Sequence, residues 1–76
     1  MTAQLQLIRL RAGFYVTRDA QWRIVRRPFL VNGLWKWHVE RWLPGDREYV
    51  RVMTCRTYRL ARATLSRFMA ETVEQP

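Results

Sequence analysis

Seventy-six residues make one domain, here 1–76, and a chain this short buries only about 60% of the surface it exposes when unfolded. Gly and Pro number three each, which excludes a low-complexity linker, and no apolar run approaches the roughly 20 residues of a membrane span. Fourteen Lys+Arg against six Asp+Glu give a net charge of +8, and such an excess favours nucleic acid, an anionic membrane or an acidic protein as partner.

Residues 1–4 read as a frayed start. Leu5 to Leu10 is apolar on both faces, with Leu5 and Leu7 on one and Ile8 and Leu10 on the other. It is either a short strand buried on both sides or a strand that pairs with another chain, as in a homodimer. Arg9 and Arg11 break the only apolar N-terminal stretch, so no signal peptide is expected. Gly13 to Arg18 predicts a strand, Asp19-Ala20 a turn, and Gln21 to Arg27 the returning strand. A two-residue turn sets Tyr15 opposite Ile24. Tyr15, Trp22 and Ile24 then share one face, and Phe14, Val16, Arg23, Val25 and Arg27 share the other.

Pro28 has no N–H for a ladder and is expected to end that strand. Asn32-Gly33 is a strong turn signal. Leu34 to Trp42 alternates, with Trp35, Trp37 and Val39 on one side and Lys36, His38 and Glu40 on the other. Pro44-Gly45-Asp46 is a turn, and Glu48 to Met53 is a shorter strand. Thr54 or Thr57 caps a helix running to about Thr72, with Tyr58, Ala61, Leu65, Phe68, Met69 and Val73 on one stripe. The tail 74–76 is expected to fray. The fold class is α+β: a small antiparallel sheet of three to four strands, packed through Trp22, Ile24, Trp37 and Val39 by one C-terminal helix.

No residue set makes an enzyme. The single His38 and single Cys55 fall on different elements, the metal-ligand supply is short, and there is no Gly-rich phosphate loop. Neither a metal nor a cofactor is expected. His38 reads as a residue of a solvated strand face, and Glu40, Asp46 and Glu48 as surface carboxylates near Arg41, Arg47 and Arg51. With one cysteine no intrachain disulfide forms, which fits a reducing, cytoplasmic setting.

Two constellations point to an anion. Arg56, Arg59 and Arg62 lie near the helix start, and Glu71 and Glu74 near its end. Both placements oppose the helix dipole by roughly 0.3–1 kcal/mol each. A phosphate at that end would relieve the conflict; so would Glu40, Asp46 or Glu48 folding over onto these arginines. The second constellation is the sheet face away from the helix, where Arg23, Arg27 and Lys36 stand with His38 beside aromatic and apolar neighbours. Its plain alternative is a solvated face whose Arg stems cover Phe14 and Val16. Trp42 is out of phase with Trp35 and Trp37, which suits an exposed residue at a protein interface, together with Leu5 and Leu7 of the first strand.

Strands followed by a helix, with Trp22-Arg23-Ile24, Trp37-His38-Val39 and Thr57 leading into Ala61 and Ala63, resemble the three-stranded-sheet-plus-helix DNA-binding domains of the AP2 and phage-integrase arm-binding type. The similarity spans residues 13–72. It implies a sheet lying in the major groove, with Arg23, Arg27 and Lys36 at the DNA. Trp35, the long stretch between Asn32 and Thr54, and the apolar N-terminal segment depart from that pattern. The size and arginine content also resemble small accessory proteins of phages and mobile elements. The function expected is therefore DNA binding through the sheet face and the helix start. The alternative is an inhibitor or adaptor that covers an acidic surface of a host protein; adsorption to an anionic membrane ranks third. Cations on one continuous face argue for nucleic acid. Scattered cations argue for the protein partner and for codon bias as the source of so much arginine.

Overall fold

The computed structural model describes the backbone of residues 5–31 and 34–74 and the side chains of 5–27 and 36–71. Its order is β1 (Leu7–Arg11), β2 (Phe14–Thr17), β3 (Trp22–Val31), β4 (Leu34–Leu43), β5 (Glu48–Cys55) and α1 (Tyr58–Glu74). The strands form one antiparallel sheet in the order β1-β2-β3-β4-β5. The α+β class is as the sequence implies, but the sheet has five strands where three to four were expected. The extra one is β1, a five-residue edge strand paired along β2. It is not buried on both sides, since Ile8 to Arg11 are exposed.

Pairing fixes the two faces. Tyr15 lies opposite Ile24, and Ile24 opposite Val39. Trp22, Ile24, Val39, Ala61 and Leu65 are the buried core beneath α1, with Leu5, Leu7, Tyr15, Trp37, Cys55, Tyr58, Phe68 and Met69 packed around them. Phe68 stacks on Trp22 with ring centres 5.8 Å apart, and Tyr58 lies against Tyr15 at 4.5 Å. The helical stripe and its sheet face are thus those the spacing predicts, apart from Trp35 and Val73, whose side chains lie outside the described residues.

The Asp19-Ala20 turn is held by side chains. The Thr17 hydroxyl donates to Asp19 Oδ1 at 2.7 Å and accepts from the Trp22 N–H at 3.2 Å, and the Gln21 N–H also reaches Asp19 Oδ1. Gly13 turns β1 into β2 at φ +74°, and a Cβ there would stand 3.1 Å from Arg26 Cβ.

Three bulges depart from the simple strand reading. β3 does not end at Pro28. It continues to Val31, and its register against β4 shifts between Arg27 and Val31. Three residues of β3 there oppose only Trp35, so Pro28 falls where the ladder asks for no N–H. Asn32-Gly33 lies outside the described residues, although Val31 pairs with Leu34 on either side of it. A second shift, opposite Val39 and Glu40, leaves Val52 as the extra residue of β5. A third, between Arg9 and Arg11, leaves Leu10 extra on β1. Both free edges of the sheet therefore carry a bulge, with Leu10 60% and Val52 40% exposed.

Between the two cap candidates, Thr57 is the one used. Its hydroxyl accepts from the Leu60 N–H at 3.1 Å, while Thr54 belongs to β5. Thr57→Ala is expected to cost about 1 kcal/mol of stability, read as a lower midpoint in urea at unchanged slope. The helix includes Glu74, beyond the end expected at Thr72.

Candidate anion-binding surfaces

The sheet face away from α1 carries cross-strand rows. One runs Ile8, Val16, Arg23, Glu40, Arg51; the next runs Phe14, Val25, His38, Thr54. Arg27 stands opposite Lys36. The expected basic face exists in this sense, but its centre is a carboxylate. Glu40 is 5% exposed, and its two oxygens go to different guanidiniums: Oε1 to Arg23 Nε at 2.5 Å and Oε2 to Arg27 at 3.5 Å. Arg23 also lies over the rings of Tyr49 and Phe14, at 4.0 and 5.5 Å. Lys36 and Arg51 remain on this face outside any ion pair among the described residues.

Glu40 is thus buried and not a surface carboxylate, although Arg51 does stand directly opposite it. His38 is not solvated either: it is 7% exposed, with Nδ1 3.9 Å from Glu40 Oε2. Arg23 and Arg27 lie on Glu40, and among the described residues no second layer of secondary structure packs on this face, so alternation along one strand does not reveal the burial.

Burial pushes the His38 imidazole below its ordinary value of 6.5, aided by Arg51 on β5, Arg27 on β3 and Lys36 on β4, and opposed by Glu40. A base held lower in the fold than in the unfolded chain takes its proton more readily when unfolded. Its contribution is intact above 6.5 and is lost progressively as the pH falls below that value toward the lower one of the folded state. Thermal midpoints are expected to drop between pH 7.5 and 5, and to drop less in His38→Gln.

The helix start is different. Arg56 and Arg59 are exposed and make no ion pair among the described residues. Arg62 donates to the Leu5 carbonyl at 3.3 Å and to the Tyr58 hydroxyl at 3.5 Å, and it too makes no ion pair among the described residues. The first turn of α1 holds no acidic residue, and the last holds no basic one. None of the carboxylates expected to fold over does so. Glu40 is spent on the other face of the sheet. Asp46 and Glu48 lie at the far end of β5, roughly 20 Å away for an eight-residue strand.

Trp42 is half-buried, not exposed, and packs on Tyr49 with ring centres 5.0 Å apart. Leu5 and Leu7 pack against the core, which leaves Ile8 and Leu10 as the exposed apolar side chains of β1. Cys55 Sγ faces Thr64 Oγ1 at 3.7 Å on the helix side, away from His38. No group of three or more His, Cys, Asp or Glu among the described residues can hold a metal ion. No described helix is long and apolar enough to cross a membrane. The cations do not gather on one face. Arg23, Arg27, Lys36 and Arg51 share the open sheet face; Arg56, Arg59 and Arg62 belong to the helix start; Arg18 and Arg47 sit in turns. Comparison with family models, curated proteins and solved structures finds no match.

Proposed function

We propose that the chain is a non-enzymatic binding protein whose ligand is nucleic acid, DNA in the first instance, held by phosphate contacts at the start of α1. The observation that carries this reading is the state of Arg56, Arg59 and Arg62: three guanidiniums at the positive end of a helix, none paired with a carboxylate among the described residues. Phosphate relieves that accumulation of like charge and accepts the forked hydrogen bonds that arginine offers. Lys36 and Arg51 supplement it from the sheet face, where Arg23 and Arg27 are already engaged. The resemblance to AP2-type domains implies DNA on the sheet face, where Glu40 already engages Arg23 and Arg27. The helix start is the better-supported surface.

Salt dependence tests the reading. Each neutralised phosphate contributes about −0.9 to the slope of log K against log salt, so three contacts weaken duplex binding about 40-fold between 50 and 200 mM. Equal affinity at both concentrations sinks it.

A second reading, an adaptor or inhibitor on an acidic protein surface, draws on the spread of cations over both faces and on the Arg23, Tyr49, Phe14 and Trp42 grouping, a composition common at interface hot spots. A stoichiometric protein complex that survives nuclease treatment would favour it. Pairing of two copies through β1 forms no part of either reading. The Leu10 bulge blunts that edge.

A further inference from the structure

We infer that Glu40 is an internal occupant of an anion site on the open sheet face, withholding Arg23 and Arg27 from phosphate and so confining nucleic acid to the helix start. The inference rests on the nucleic-acid reading for its ligand, but its geometry stands alone. One carboxylate bridges two guanidiniums, one oxygen to each, as a phosphate bridges a pair of arginines. Arg23 is held between the Phe14 and Tyr49 rings, so its position is set before any ligand arrives. No described element of secondary structure covers the face, and the Arg27 side chain is 38% exposed while the Glu40 side chain beneath it is 7% exposed. A phosphate approaching from solvent meets a guanidinium pair whose charge is partly cancelled, and a buried negative charge behind it. Glu40 is in this sense the residue that decides which surface binds. It also keeps from the bases the two arginines best placed on the sheet to read them, so binding at the helix start is independent of DNA sequence.

Glu40→Gln keeps the shape and removes the charge. The experiment measures fluorescence anisotropy of a labelled random-sequence duplex at 50–200 mM salt for the wild type, E40Q, R27Q and the E40Q/R27Q pair, with circular dichroism as the check of folding. The expected result is tighter binding by E40Q, at least tenfold at 100 mM, and a slope steeper by about 1.8 as two phosphates are gained. R27Q alone changes affinity less than twofold, and R27Q in the E40Q background removes about half of the gain in slope. If the wild type binds and a folded E40Q binds no better, the inference is overturned while the nucleic-acid reading survives. If only E40Q binds, that reading fails and the inference stands. Should neither bind, both fall. Should E40Q not fold, R27Q decides: unchanged affinity upholds the withholding of Arg27, and a tenfold loss overturns it.

Discussion

Leu65→Ala is expected to destabilise the protein by about 2–5 kcal/mol, the range for emptying a fully buried leucine site. Leu65 is 0% exposed and is the helical residue set against Ile24 and Val39, themselves both 0% exposed. The sheet cannot close the hole easily, because β3 and β4 are pinned to each other and to their outer neighbours. In a domain of this size each kcal/mol moves the thermal midpoint by roughly 4–8 °C, so a drop of roughly 10 °C or more is expected by circular dichroism. A change of under 3 °C would mean that the helix does not close this core.

Replacing Arg56, Arg59 and Arg62 together by Gln is expected to remove most duplex affinity at 100 mM salt and to flatten the salt slope by about 2.7. The fold should be retained or slightly strengthened, since three charges opposed to the helix dipole are removed. The pairing of lost binding with undiminished melting temperature separates a ligand surface from a structural one. If DNA binding survives the triple substitution, the helix start is not the site. If binding is lost only because the protein unfolds, circular dichroism reports it, and the single substitution Arg59→Gln, expected to reduce the slope by about 0.9, then carries the test.

Parity survives a bulge of two residues, which is why the faces of β3 and β4 were legible while their partners were not. A two-residue turn at Asn32-Gly33 continued without interruption would set Val25 opposite Glu40. The two extra residues of β3 between Arg27 and Val31 slide the register by two, so the same faces are kept and Arg23 meets Glu40 instead. Glu40 was visible as a residue in phase with Lys36 and His38, but nothing local announced the guanidinium opposite it. The single-residue bulge at Val52 acts differently. It reverses the alternation of β5 and returns Met53 and Cys55 to the helix side, which no period-two count along the strand can give.

The helical stripe was read correctly because a 100° repeat has no register to lose. Leu5 and Leu7, expected at an interface, pack against the core; a strand apolar on both faces does not say which face the domain keeps. Packing decided it: Leu5 and Leu7 went to the core, and Ile8 was left in the row with Val16 and Arg23.

Strand order equals chain order throughout the sheet. Every ladder therefore closes a short loop, and the entropy of bringing distant segments together, which slows most sheets, is largely avoided. The hairpins can form one after another as the polypeptide leaves the ribosome, each using the previous strand as template. α1 is the exception, because it follows all five strands and reaches back to Trp22 and Ile24. Until Leu65 has emerged, the nascent sheet exposes Trp22, Ile24 and Val39 to its surroundings. The apolar face thus stays open to aggregation from the completion of β5 until α1 has emerged, an interval set by the time needed to translate a single helix.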